Sequence, residues 1–240
     1  MGVNFYAPEA VLFDMDGVLA NVEGSYRQAT LEATRSFGVQ VEREDLERAV
    51  LAGDANNDWI LTQRFLAANG LDVSFDDVYE RYQEFYIGTN DRPGLRETET
   101  LLVEPGVLRK LSERVRLAVV TGRPRAEAEW FLEKVEIRSL FESVVCLEDG
   151  PNKPDPTPVR IAMQQLGVSK AWMIGDTPDD VRAAAAAGVL PLGILAPGAD
   201  PDTHKAALIE AVAVTVLDDV ASLLELLYPA GDSTPGRTDA

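Results

Sequence analysis

The sequence predicts an α/β fold: a parallel sheet covered by helices on both faces and interrupted by an all-helical insert. Three observations carry this expectation. Short, wholly apolar runs alternate with segments of helical length and period. Each apolar run ends in a polar loop, as strands buried on both faces do. Strand signals fade between Asn21 and about Asn90, where four helical segments follow one another. A chain of 240 residues has room for one such core and a small insert.

The elements follow in order. Ala10-Val11-Leu12-Phe13 is the first strand, ended by Asp14-Met15-Asp16-Gly17. Tyr26–Phe37, Arg43–Leu51, Asn57–Ala68 and Phe75–Ile87 are helical, with Gly38, Gly53 and Gly70 as stops. Asn90–Glu104 is polar, carries Pro93-Gly94, and reads as a linker. Alternation then sets in: helix Val107–Arg114, strand Val115–Val120, helix Arg125–Val135, strand Ser143–Leu147 and helix Pro156–Leu166. Strand Ala171–Ile174 precedes an Ala-rich helix, Asp179–Ala187, stopped by Gly188. Leu190–Leu195 and Val212–Leu217 are the late strands, and Asp218–Leu227 the last helix. The expected domains are a core of 1–20 with 95–228, an insert of 21–94, and a disordered Gly/Ser/Thr/Pro-rich tail of 229–240.

Composition excludes several classes. The net charge of −18 leaves no basic footprint for nucleic acid or an anionic membrane. A single cysteine, Cys146, forbids an intrachain disulfide, and it falls in a buried strand as packing. A single histidine, His204, excludes multi-histidine zinc sites; it is expected on the surface, whereas Trp130 and Trp172 are expected in the core. Five lysines stand against seventeen arginines, which suits either a high-salt cytoplasm or a GC-rich genome. Met1–Glu9 lacks the basic-then-apolar order of a signal peptide. The uncharged stretch Ala183–Ala199 is short for a membrane span and broken by three glycines and two prolines. The expected location is the cytoplasm.

In open α/β sheets, sites form beyond the carboxyl ends of the strands. Those ends carry Asp14 and Asp16; Thr121, Gly122 and Arg123; Lys153, reached through Glu148-Asp149; and Asp176, with Asp180 four residues on. Three carboxylates brought together raise one another's pKa, a repulsion that a hard divalent cation relieves. A lysine, a hydroxyl and backbone amides facing that cation would clamp an oxyanion or a phosphate. Taken singly the signals are weak. Asp-x-Asp-Gly is often a turn, Thr-Gly a strand end, Lys-Pro a loop, and Gly-Asp-Thr a capped helix start. Their order, each after its own strand, points to a functional site for an oxyanion or a phosphate.

At these residues the sequence resembles the haloacid dehalogenase superfamily of phosphohydrolases, from about Ala10 to Leu227. Asp14-Met15-Asp16-Gly17-Val18-Leu19 is similar to the first family motif, Thr121 to the second, Lys153 to the third, and Gly175-Asp176-Thr177-Pro178-Asp179-Asp180 to the fourth. The resemblance implies a Rossmann-like core, with the insert as an α-helical cap. It also implies a phosphatase acting on a small phosphorylated metabolite. Asp14 would be the nucleophile that becomes an aspartyl phosphate, and Asp16 the general acid and then base. Mg²⁺ would be held by Asp14, the Asp16 backbone carbonyl and Asp176, with Asp180 in support. Thr121 and Lys153 would hold the phosphoryl oxygens. Family members that cleave carbon–halogen bonds lack the second aspartate, because a halide leaves without a proton; Asp16 therefore argues for phosphoryl transfer.

The cap would read the leaving group. Candidates are Asn56, Asn57 and Trp59, beside Asp54 and Asp58, and Arg27 at the start of the first cap helix. The competing reading is a helix-capping loop with Trp59 in the cap's own core. Arg123 or Arg125 could bind a second anionic group, or open a helix on the surface. The cap strings also resemble a small branch of the family, some of whose relatives are fused to histidine-biosynthesis enzymes, which hints at histidinol phosphate. Two alternatives stand beside the phosphatase. One is a phosphomutase of the β-phosphoglucomutase type, disfavoured by a cap without lysine or histidine. The other is a non-catalytic phosphate-binding regulatory protein, disfavoured by the presence of both Asp14 and Asp16.

Overall fold

The computed structural model describes residues 6–53 and 57–227. The described chain runs β1 (Ala10–Phe13), β2 (Ala20–Asn21), α1 (Tyr26–Ser36), α2 (Arg43–Ala52), α3 (Asp58–Ala68), α4 (Phe75–Tyr86), β3 (Gly88–Thr89), β4 (Arg92–Pro93), β5 (Thr100–Leu101), α5 (Pro105–Ser112), β6 (Arg116–Val120), α6 (Arg125–Lys134), β7 (Ser143–Val145), α7 (Thr157–Leu166), β8 (Ala171–Gly175), α8 (Pro178–Ala187), β9 (Leu190–Ile194), α9 (Pro201–Glu210), β10 (Thr215–Leu217) and α10 (Ser222–Leu227). It divides into two compact units, one of residues up to Ala20 and from Leu101 onward, the other from Asn21 to Thr100. No helix among the described residues is long and apolar enough to cross a membrane.

The first unit is an α/β sheet of six strands in the order β10-β9-β8-β1-β6-β7, every pair parallel. The two faces of β1 sort by the two-residue strand period. Ala10 and Leu12 join Ala118, Val120 and Met173 on the face covered by Val159, Ala162 and Leu166 of α7 and Ala183 and Ala184 of α8. Phe13 points to the opposite face, where it meets Phe141 edge-on at 6.0 Å. Both faces are covered, which is why these strands read as unbroken apolar runs.

The second unit is built from α1 to α4. Its helices begin where the sequence supplies caps. Glu42 and Asp45 form a reciprocal box at α2, Asn57 accepts from the Ile60 amide at α3, and Ser74 accepts from the Asp77 amide at α4. Leu31, Val39, Val41, Leu66 and Val78 form one buried cluster. Tyr26 packs on Tyr86 at 4.3 Å between ring centroids and on Tyr82 at 6.2 Å.

Several expectations need correction. Part of the predicted linker is ordered structure. β3 and β4 form an antiparallel ribbon, a 3₁₀ turn spans Leu95–Thr98, and β5 pairs with β2. The ribbon depends on close backbone approach: a Cβ on Gly88 would lie 2.4 Å from the Gly94 nitrogen. The strand expected from Val212 begins at Thr215, because α9 occupies the preceding stretch and Val212 sits at φ 76°. His204 is buried, at 8% exposure, rather than on the surface. It lies one turn before the fully buried Leu208 on α9 and shares its inward face. Trp130 is half-buried, not core, with the Lys134 ammonium 4.7 Å over its ring. Trp172 and Cys146 are buried as expected. The tail, Asp54 and Asn56 lie outside the described residues.

Candidate active site

Sheet register builds the site. Phe13 is level with Val119 of β6 on one side and Ile174 of β8 on the other. One step further along, Asp14 leaves β1 with its amide donating to the Ile174 carbonyl at 2.9 Å. Thr121 and Asp176 follow the ends of the flanking strands, about 4.8 Å to either side. Lys153 reaches the same place from the loop before α7. Its ammonium donates to Asp14 Oδ1 at 2.5 Å, to Asp180 Oδ1 at 2.5 Å and to the Val120 carbonyl at 3.2 Å. Asp14, Thr121, Lys153, Asp176 and Asp180 are all buried.

Asp180 is fixed from behind by the start of α8. Thr177 is the N-cap, and its amide and hydroxyl donate to Asp180 Oδ2 at 3.1 and 2.6 Å, while its Oγ1 accepts from the Asp180 amide. One carboxylate thus closes the capping box with Oδ2 and meets Lys153 with Oδ1. The strand-to-helix turn is tight enough that a Cβ on Gly175 would lie 2.2 Å from the Asp180 Cβ. Gly17 meets Asp176 as closely: at φ +77°, its Cβ would fall 2.3 Å from Asp176 Oδ2.

Electrostatics follow from burial. The Asp14 carboxyl is pushed up to about 7, chiefly by burial; Lys153 pulls it down, and Asp180 and Asp16 add to the rise. The mutual repulsion expected from the sequence is present but smaller than the desolvation. Burial alone would lower the Lys153 ammonium, but Asp14 and Asp180 outweigh it and raise it. Asp14, Asp176 and Asp180 each offer a carboxylate oxygen, all within 4.8 Å of one another. Three buried carboxylates against one ammonium leave excess negative charge in a dry site. An all-oxygen donor set of that charge fits a hard divalent cation.

Asp16 behaves differently. It sits in the turn from Met15 to Ala20, closed by the Leu19 and Ala20 amides on the Met15 carbonyl. Its side chain keeps 27% exposure and lies outside the carboxylate cluster. Its partner is Arg123. That residue donates from Nε to Asp16 Oδ1 at 2.7 Å, with Nη2 at 2.6 Å from the same oxygen. The Arg123 side chain is wholly buried, with its guanidinium turned to a carboxylate of this same chain. Arg125 is more open: its side chain is 43% exposed, its guanidinium pairs with Asp149, and its amide donates to Glu148 at 3.0 Å. Thr121 Oγ1 accepts from the Arg123 amide at 3.1 Å, and the adjoining Gly122 is half-buried.

In the second unit, Trp59 is 7% exposed and packs edge-on against Tyr79 at 4.7 Å, Phe75 at 6.3 Å and Tyr82 at 6.4 Å. It is an aromatic core residue of that unit, as the competing helix-capping reading expects. Asn57 is the α3 cap, and Arg27 lies 3.7 Å from Asp58. The sequence reading missed the Arg123–Asp16 pair and the steric duties of Gly17 and Gly175. Both glycines stand inside the quoted motifs, so the signal for them was present.

Known proteins agree with this geometry. Residues 8–188 match the family model of haloacid dehalogenase-like hydrolases. A Phytophthora nicotianae protein named imidazoleglycerol-phosphate dehydratase is 40% identical over 95% of this chain, which spans about half (50%) of that relative's length. The phosphoglycolate phosphatase of Rhodospirillum rubrum is 30% identical, with 97% of this chain and 98% of that one covered. Among solved structures, a candidate β-phosphoglucomutase from Thermotoga maritima superposes with a TM-score of 0.64 at 27% identity, covering 92% of this chain and 99% of that one. The site at the end of β1, the family match over most of the chain and the phosphatase relative covered over its full length agree: this chain belongs to the haloacid dehalogenase-like hydrolases.

Proposed function

We propose that the protein is a Mg²⁺-dependent phosphatase that hydrolyses a small phosphorylated metabolite through an aspartyl phosphate on Asp14. The observation that supports this most is the meeting of Asp14 with Lys153, Asp176 and Asp180 beyond the middle of the sheet, with Asp16 two residues along. In this reading an Asp14 carboxylate oxygen attacks phosphorus while the bond from phosphorus to the alcohol oxygen breaks. Asp16 gives that oxygen its proton. Asp16 then takes a proton from water, which attacks the aspartyl phosphate, frees phosphate and restores Asp14. Thr121, the Gly122 backbone and Lys153 hold the phosphoryl oxygens. Asp14, Asp176 and the Asp16 carbonyl, supported by Asp180, would hold Mg²⁺, which when bound neutralises charge on the nucleophile and the phosphoryl group.

For the substrate, the name of the Phytophthora relative supports a phosphorylated imidazole alcohol, with histidinol phosphate the first to try. The Rhodospirillum relative supports phosphoglycolate. The Thermotoga structure supports a phosphomutase as the second reading, which the absence of lysine and histidine from residues 21–100 disfavours. A panel of histidinol phosphate, phosphoglycolate and sugar phosphates, with Mg²⁺ or EDTA, tests the proposal. Phosphate release that needs Mg²⁺ and disappears in Asp14→Asn is the expected result. Phosphoryl return to a sugar without phosphate release would establish the mutase, and release that survives Asp14→Asn would overturn the mechanism.

A further inference from the structure

We propose that Arg123 is the positioning residue of Asp16, holding one carboxylate oxygen so that the other is presented to the leaving group. This rests on the reading of Asp16 as the proton donor to that group. The geometry has three parts. First, Nε and Nη2 of Arg123 both lie on Oδ1, at 2.7 and 2.6 Å, and Oδ2 has no hydrogen-bond partner among the described residues. Asp16 is thus held by one oxygen, and the other remains for chemistry. Second, the guanidinium of Arg123 is itself enclosed by protein. Its side chain has no exposed surface, and its guanidinium carbon lies 5.3 Å over the Phe131 ring. Third, the backbone of Arg123 is tied at both ends of the residue. Its amide donates to Thr121 Oγ1 at 3.1 Å, and its carbonyl accepts from the Leu147 amide at 2.9 Å. One residue therefore links the loop after β6 to the loop after β1, and fixes where Asp16 stands relative to Thr121.

A half-exposed aspartate in a turn would otherwise sample several rotamers. Proton transfer needs one of them, because a donor misplaced by about 1 Å loses much of its advantage. Lysine offers a single ammonium on a flexible stem and cannot reproduce a planar guanidinium that donates from Nε with Nη2 beside the same oxygen. During the first chemical step the bond from phosphorus to the alcohol oxygen breaks, the bond from phosphorus to Asp14 forms, and the proton on Asp16 Oδ2 passes to the departing oxygen. Arg123 keeps its own protons throughout.

The consequence is a dependence on the leaving group. An alkyl alcohol needs a proton as it departs; p-nitrophenolate does not. Kinetics of Arg123→Met and Arg123→Lys are compared on p-nitrophenyl phosphate and on the alkyl phosphate that the wild type turns over fastest. For Arg123→Met, kcat on the alkyl ester is expected to fall at least tenfold further than kcat on the aryl ester, with KM changed by less than about threefold. Arg123→Lys should show the same split at smaller amplitude. In an Asp16→Asn background, Arg123→Met should cost less than about twofold more on the alkyl ester. Equal losses on both esters would overturn the proposal in favour of a purely structural role, and a rise in KM with kcat kept would overturn it in favour of substrate binding. If Arg123→Met does not fold, the lysine variant alone decides between these outcomes. Wild-type protein that releases no phosphate from either ester would instead refute the phosphatase reading, before Arg123 is at issue.

Discussion

Asp14 occupies a place where its ionised form is costly, and this gives a prediction about stability. In the metal-free protein its carboxyl is raised from 3.8 to about 7, with burial as the main cause. An acid raised on folding stabilises the fold in its protonated form. That contribution is full below about pH 4 and is lost as pH climbs through about 7. Metal-free wild type should therefore lose stability relative to Asp14→Asn over this window. At pH 8 the variant should melt several degrees higher, at ~2–4 °C per kcal/mol for a chain of this size. Mg²⁺ should close the gap by stabilising the wild type more than the variant. A difference in melting temperature that stays flat from pH 4 to 8 would rule this out. The residues themselves were largely legible: Asp14, Thr121, Lys153, Asp176 and Asp180 were picked out because each follows a strand, and sheet register then makes them neighbours. The partner of Asp16 was not legible, since 107 positions separate it from Arg123 and no period links them. His204 was misplaced for a related reason, as burial of a polar-tipped side chain is decided by what packs over it.

At the scale of elements, the site depends on how closely one loop can approach the next. Gly17 and Gly188 share nearly the same backbone, at φ +77° and +79°, but not the same surroundings. A Cβ on Gly188, which ends α8, would meet nothing within 4 Å, while one on Gly17 would strike Asp176 Oδ2 at 2.3 Å. Gly188→Ala should cost only the left-handed backbone, about 1–2 kcal/mol, and leave Mg²⁺-dependent stabilisation intact. Gly17→Ala carries the same backbone cost and also displaces a carboxylate of the proposed metal site. It should abolish the rise in melting temperature on adding Mg²⁺. Equal behaviour of the two variants would show that the approach of the β1 loop to Asp176 is not needed for the cation. The elements that the sequence revealed are those with enough length to show a period. The core strands and α1–α8 match the expected segments to within a few residues. The ribbon of β3 and β4 has two residues a side, too short for alternation to be seen. Near the end, Val212-Ala213-Val214-Thr215-Val216 alternates like a strand from its first residue, yet the first part of it is the turn that follows α9.

For the whole molecule the dominant fact is charge. A net −18 repels itself, and every described ion pair at the surface works against that repulsion. Arg35 with Glu32, Arg48 with Asp45 and Arg81 with Glu84 are such pairs, each one turn apart on a helix. Exposed pairs contribute about 0–1 kcal/mol each and weaken in salt. The two effects therefore predict opposite responses to ionic strength, and the excess of 40 acids over 22 bases decides which prevails. Raising KCl shrinks the screening length from about 30 Å at 0.01 M to about 10 Å at 0.1 M. Long-range repulsion among many acids is screened over this range, while pairs in contact are less affected. The melting temperature should rise with KCl in the range below ~0.2 M, where screening governs. The rise should be the same in wild type and in Asp14→Asn, because it belongs to the surface. Millimolar Mg²⁺ added at constant ionic strength should give a second, separate rise that the variant lacks. A melting temperature that falls with KCl would mean that local pairs outweigh net repulsion, and the acidic surface would then be no adaptation to salt. A Mg²⁺ effect that KCl reproduces in full would likewise remove the cation from the site beside Asp14 and assign it to the surface.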